Sequence, residues 1–438
     1  MYNGSMNRWC MFMVWLLVGL ALVVGAACGE SPGGRRQVEV RFVTWKPNQP
    51  EVWDEIIRRF QAANPDIRLV REVGPHSSTA FHDLLTQKLK NASPEVDVFL
   101  MDVVWPPEFA SAGWARALDH HLDEATRRSL WPAGLEANTW QDRLYGVPLY
   151  LDAGLLYYRK DLLAARGYRP PQTWPELVAQ ARAIVADRRA AGREMYGYSG
   201  QFKQYEGLVC DMLEFIASRG GGLVDPHTGR CLLSEPAAVE AVRFVRQQII
   251  GHIAPRGVLT YQEPESLALF LQGKAVFMRN WPYAWALLQQ PQRSPVAGRV
   301  GIAVLPHFPG HSSVATLGGW QVGISAFSRR PRQAWRFVSF LISRPIQKLL
   351  ALRAGRLPAR RDVFQDPEVL AARPHFRFLR RVLARARPRP RTPLYPALSR
   401  ILQVYFSRAL SDPGVKVEEL ASQTCRRVEE LLSLAREY

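Results

Sequence analysis

At 438 residues the chain exceeds what one ordinary hydrophobic core can organise, so two or three domains, or a single two-lobed body, are expected. Its 47% apolar and 22% charged residues are the composition of a globular protein. The formal net charge of +18 could advertise nucleic acid, a membrane surface or acidic substrates, but much of the excess sits in one run, 373–391, with eight Arg and no acid. No recognised nucleic-acid motif accompanies that run, which reads instead as a solvated face near anionic lipid headgroups, with 385–393 a surface connector.

The first 27 residues carry Arg8, no acid and an apolar run from Trp9 to Ala27, and read as an export signal peptide. Gly25-Ala26-Ala27 before Cys28 resembles the lipobox of bacterial lipoproteins, in which the Cys is lipidated and becomes the mature N-terminus. Residues 28–36 are then the lipidated Cys and a flexible tether. An uncleaved membrane-spanning anchor is the rival, since about 20 apolar residues cross a bilayer. Either reading puts the rest of the chain outside the cytoplasm. Of five Cys, Cys10 lies in the signal and Cys28 carries lipid, leaving Cys210, Cys231 and Cys425. At most one intrachain disulfide forms from these; Cys210–Cys231 is the pair nearest in sequence, and buried free thiols are the alternative.

From Gln37 strands and helices alternate. Residues 38–45 read as a strand, and 51–65 as a helix with Val52, Ile56, Ile57 and Phe60 at helical spacing, stopped by Asn64-Pro65. A strand over 67–73, a helix over 81–92 and a buried strand over 96–103 follow. The pattern predicts an α/β fold of mainly parallel sheets flanked by helices, with ligands at the carboxyl ends of strands, where Asp102 lies. In 148–163 Asp152 alone interrupts an apolar, aromatic run; an ionised carboxylate there needs donors, so it is either a turn cap or part of a binding site. Beyond it the segments 174–189, 205–218, 236–249, 264–271 and 334–352 have helical spacing, with strand-like pieces at 273–281, 299–306 and 317–325. An apolar strand so late suggests a return to the first sheet, and two lobes joined by several crossings would hinge and close on a ligand.

No Walker A loop, G-x-G-x-x-G, H-E-x-x-H, G-x-S-x-G or C-x-x-C is present, so no catalytic residue, metal ligand or cofactor is assigned. Adjacent His120 and His121 point apart and make a poor metal pair. What remains are aromatics at Gly/Pro-marked turns, Asn280-Trp281-Pro282-Tyr283 and Leu317-Gly318-Gly319-Trp320, with Glu51, Asp102 and Asp152 as acceptors and Arg360 as a fork of donors. Sugars need this combination, because a ring face covers the C–H side of a pyranose while charged groups bond vicinal hydroxyls. Core packing is the competing reading for each aromatic alone.

The segments 100–105, 148–163, 203–211, 279–285, 305–311 and 317–325 resemble those of the trehalose/maltose-binding proteins, within the large family of extracellular sugar-binding components of ABC transporters, over about residues 38–432. The resemblance implies a two-lobed periplasmic-binding-protein fold with three hinge crossings. Residues 37–152 plus 318–345 would form the N-terminal lobe, and 153–317 plus 346–438 the C-terminal lobe. Together with the lipobox reading, it gives a lipid-anchored receptor in the periplasm or at the cell surface, expected as a monomer, that uses no cofactor and no catalysis. Its partners would be an α-linked disaccharide, ABC permease subunits and, through the lipid, the membrane. Carried over by position, Glu51, Asp102, Tyr150, Asp152, Trp281, Tyr283, Gly319, Trp320 and Arg360 would bind the sugar. Two departures bear on specificity. Ala80-Phe81-His82-Asp83 stands where relatives carry an Arg pair, and Ala354-Gly355-Arg356 where relatives carry an aromatic-containing pattern. The alternatives are sucrose, glucose or a polyol phosphate in the same fold, or a glycoside hydrolase using Asp102 and Asp152.

Overall fold

The computed structural model describes residues 37–434, so the expected signal, Cys28 and tether lie outside the described residues. The first sheet begins with β1 (Val38–Thr44), β2 (Ile67–Val73) and β3 (Val98–Asp102), separated by helices Pro50–Ala63 and Ser78–Lys90. The first helix opens on a Pro and buries Val52, Trp53, Ile56 and Phe60 along one stripe. The second opens where the Ser77 hydroxyl accepts the Ala80 amide. A hairpin of β4 (Thr139–Trp140) and β5 (Arg143–Leu144) leads into β6 (Val147–Ala153), whose residues are all buried.

Strands β7 (Leu155–Arg159), β8 (Tyr196–Ser199), β9 (Ala275–Asn280) and β10 (Val300–Ala303) form a second sheet in the order β10-β7-β9-β8. The chain then returns to the first sheet through β11 (Ala315–Ile324), β12 (Leu357–Pro358) and β13 (Ala386–Arg387), giving the order β12-β6-β11-β3-β1-β2 with β13 beside one end of β11. The α/β class and the late return to the first sheet match the sequence pattern.

Strand direction differs from the expectation of mainly parallel sheets. In the first sheet β1, β2 and β3 are parallel, but β11 is antiparallel to both β3 and β6. In the second sheet only β8 and β9 are parallel. The reason is the crossing: β6 leaves the first sheet at its carboxyl end, and a strand coming back from the other lobe enters at that same end, so Leu317 lies opposite Ala153. Because β12 pairs with β6, the chain is still in the first sheet at Pro358, beyond the expected lobe boundary at 345.

A single residue, Gly154, separates β6 from β7 and carries the chain between sheets. Beneath it Arg279 of β9 forks onto Glu214 at 2.6 and 2.8 Å, with Asp211 at 3.2 Å, and all three side chains are almost completely buried. A Cβ on Gly154 would run into the Glu214 carboxylate and lie 2.8 Å from Arg279 Nη2. The crossing can thus pass over the ion pair only as glycine.

The disulfide joins Cys231 to Cys425, and Cys210 is a buried free thiol. This corrects the Cys210–Cys231 pairing: Cys425 sits on the final helix, Val417–Leu434, which packing brings to Cys231 across 194 residues. Glu429 of the same helix accepts the Cys231 amide at 3.0 Å.

Replacing Gly154 by Ala should destabilise the protein by about 1–3 kcal/mol through overpacking against the buried ion pair. Denaturant unfolding of the variant measures this, and a wild-type midpoint would mean that the crossing has room to spare.

Candidate functional site

Three neighbouring strands of the first sheet aim their residues at the second lobe. Asp102 ends β3, Trp320 of β11 stands opposite it, and Gly318 of β11 stands opposite Asp152 of β6. From the other lobe come Trp281 and Tyr283, just after β9, Glu206 at the start of helix Glu206–Ala217, and Glu263 at the start of helix Glu263–Leu271. Between them lies a cavity with about 630 Å³ of atom-free space, a figure that includes its open mouth.

Aromatic rings form much of the wall. Trp45, at the end of β1, meets Trp320 at 5.4 Å, and Trp320 is backed by Trp105 and Phe81 at 5.7 and 5.8 Å. Trp281 lies over the Arg279 guanidinium at 4.0 Å, and its indole N–H donates to Glu263 at 3.1 Å. The Ala80–Asp83 departure acts from behind: Phe81 supports the tryptophans, His82 bonds Glu108 at 2.6 Å, and Asp83 pairs across the lobes with Arg400.

Charged groups supply the polar contacts. Arg389 spans the lobes, donating to Asp102 at 2.8 Å and to Glu206 at 2.6 Å, while Tyr395 also donates to Glu206 at 2.6 Å. Burial raises the Asp102 pKa, opposed by the Arg389 guanidinium. Asp152 is buried as well; loss of water pushes its pKa up to about 7 against the pull of Arg356, whose guanidinium lies 3.6 Å from Oδ2. The other oxygen, Oδ1, is buried with no hydrogen-bond partner among the described residues. A group left like this costs free energy until a donor reaches it.

Of the residues expected from sequence, Asp102, Asp152, Trp281, Tyr283, Gly319 and Trp320 line this one cavity. Tyr150 lies just outside it, buried under Arg356 and facing an adjoining pocket. Two expectations are corrected. Glu51 is exposed on the first turn of its helix, outside the cavity lining, because its neighbours Val52 and Trp53 take the buried stripe. Arg360 turns away, forking onto Asp362 at 3.0 Å, and the guanidinium groups in the cavity are Arg356 and Arg389. Arg389 also corrects the reading of 385–393 as a plain surface connector, since it is buried while Arg385, Arg387 and Arg391 are exposed.

Sequence reasoning missed Trp45, Glu206, Glu263, Arg356 and Arg389. Trp45 had a signal, an indole at a strand's carboxyl end; Arg389 had none within an Arg-rich run. Among the described residues no group of three or more His, Cys, Asp or Glu is arranged to hold a metal ion.

The family model for bacterial extracellular solute-binding proteins matches residues 46–348. The chain belongs to this family. Similar curated relatives include a probable ABC transporter-binding protein of Deinococcus radiodurans, 38% identical over 80% of this chain and 84% of the relative. A maltotriose-binding protein of Pyrococcus abyssi is 25% identical over 75% and 68%. Among solved structures, maltose-bound MalE3 of T. maritima superposes with a TM-score of 0.85 at 37% identity, covering 90% of this chain and 99% of that one. A ribitol complex from Agrobacterium radiobacter K84, at 22% identity, TM-score 0.82 and 91% and 99% coverage, has the same fold.

The Asp152 shift has a measurable sign. Its folded pKa of about 7 exceeds the ordinary 3.8, so the folded protein keeps a proton that the unfolded chain has lost. That contribution to stability is fully present below about pH 4 and is lost as pH rises through about 7. Melting curves of the ligand-free protein should therefore show the wild type losing stability relative to Asp152→Asn over this range. Parallel curves would mean that Asp152 is ionised throughout.

Proposed function

We propose that this solute-binding protein is the extracytoplasmic sugar receptor of an ABC importer, capturing a neutral α-linked disaccharide, maltose and/or trehalose, between its lobes and presenting it to the permease. The observation that carries the reading is the buried, unpartnered Asp152 Oδ1 set among the rings of Trp45, Trp281, Tyr283 and Trp320. A sugar hydroxyl is a donor for the carboxylate, and the C–H face of the same ring suits an indole. The maltose complex of the T. maritima relative supports this ligand class.

Charge argues against an anionic ligand. Four carboxylates, Asp102, Asp152, Glu206 and Glu263, face the cavity against two guanidinium groups, Arg356 and Arg389. Burial lowers the pKa of His76, which leaves its ring neutral near pH 7. Both guanidinium groups are already paired with carboxylates, so a polyol phosphate would find no unpaired cation among the lining residues, whereas a neutral sugar finds acceptors and donors together. The hydrolase alternative needs Asp102 and Asp152 to work as a pair, and Asp102 is tied up by Arg389.

Attachment through a lipid on Cys28 and a monomeric state belong to the same proposal, as does closure of the lobes about their crossings. Arg389 bonds one carboxylate from each lobe, so the closed form has a polar contact that opening would break.

Titration calorimetry of the purified protein with trehalose, maltose, maltotriose, sucrose, glucose, ribitol and glycerol 3-phosphate tests the reading. Saturable, micromolar or tighter binding of one or two disaccharides, with no glucose released, is expected. Silence across the neutral sugars with binding of the phosphate would overturn it.

A further inference from the structure

Helix Arg344–Ala354 ends in Gly355, whose left-handed backbone (φ 64°) turns the chain sharply; the Leu350 carbonyl accepts from both the Gly355 and Arg356 amides. Strand β12 begins one residue later, pairing Leu357 with Leu151, so Arg356 emerges beside Asp152 at the inner end of the cleft. Its guanidinium is packed on three rings, 4.6 Å from the centre of Tyr150, 5.0 Å from Tyr283 and 5.7 Å from Trp45. Only 8% of its side chain is exposed. Asp152 at 3.6 Å is its ion partner, and no hydrogen bond engages its side-chain N–H groups among the described residues.

Arg356 is also a partition. It and Trp45 line both the main cavity and a small adjoining void, with room for about one water molecule, whose other walls include Gln49, Trp53, Tyr150 and Leu350. That void is walled mainly by apolar and aromatic side chains. The Arg356 side chain therefore closes the cleft on this side.

We propose that Arg356 sets the inner limit of the ligand, donating hydrogen bonds to its terminal ring and, packed on three rings, walling off that end of the cleft. The inference rests on the sugar-receptor reading and adds what limits the length of the sugar. Arg is suited to the task. Its planar, permanently charged fork stacks on rings while pointing donors at oxygen acceptors, and its charge favours the ionised form of Asp152. A sugar oxygen supplies the acceptor that Asp152, at ion-pair distance, does not.

The test compares wild type, Arg356→Ala and Arg356→Met by calorimetry against maltose, trehalose, maltotriose and maltotetraose, with melting temperatures as a check on folding. Losing a hydrogen bond to a charged group should weaken disaccharide binding roughly 10- to 100-fold in both variants. Arg356→Ala, which removes that wall, should also raise trisaccharide affinity relative to disaccharide. Arg356→Met, which keeps bulk without donors, should preserve the discrimination. If Arg356→Ala does not fold, Arg356→Met decides the matter: unchanged disaccharide affinity overturns the donor role and weakened affinity upholds it. A wild type that binds sugars, with an Ala variant of unchanged affinities and unchanged length preference, overturns this inference alone. A wild type that binds no saccharide overturns the receptor reading and this inference with it.

Discussion

The carboxylate of Asp152 is buried one residue before the chain leaves the first sheet, and much of the cleft is arranged around that costly position. An isolated charge in such a place would simply take up a proton. Arg356 opposes that outcome on one side, and Arg279, itself neutralised by Glu214 and Asp211, contributes from below. The same Arg279 supports Trp281 through its ring face. One set of buried charges therefore fixes the crossing, requires glycine at 154 and orients both an acceptor and an aromatic wall toward the cavity.

Arg389 makes the second link from structure to function. Its donors divide between Asp102 in one lobe and Glu206 in the other, so any separation of the lobes would break one of these bonds. A ligand favours closure only by its difference in affinity for the two states. Sugar hydroxyls that bond Asp102 or Glu206 in the closed form would act on the same groups that Arg389 already draws together. Recognition and closure would then share residues, which is what delivery of a captured solute requires.

The periodicity of apolar residues was enough to read the alternating elements: 67–73 is a strand and 174–190 a helix very nearly as the spacing predicts. Six of the nine expected ligand residues share the cavity because they sit at strand ends or on Gly/Pro-marked turns, where sequence marks position. What was illegible depends on long-range packing. Nothing in the local pattern says that β11 returns antiparallel, or that Cys425 lies over Cys231. Arg360 and Arg356 both flank a short strand; only the turn at Gly355 and the pairing of Leu357 with Leu151 decide which one enters the cleft. Arg389 is one Arg among eight in its run, and its burial becomes visible only when Asp102 and Glu206 converge on it.

A crystal structure of the protein with the sugar that binds it most tightly would show whether Asp152 anchors the ligand. The sugar is expected between the lobes, with a ring against Trp281 or Trp320 and a hydroxyl within about 3 Å of Asp152 Oδ1. A sugar bound outside the cleft, or inside it with Asp152 Oδ1 still unpartnered, would contradict it.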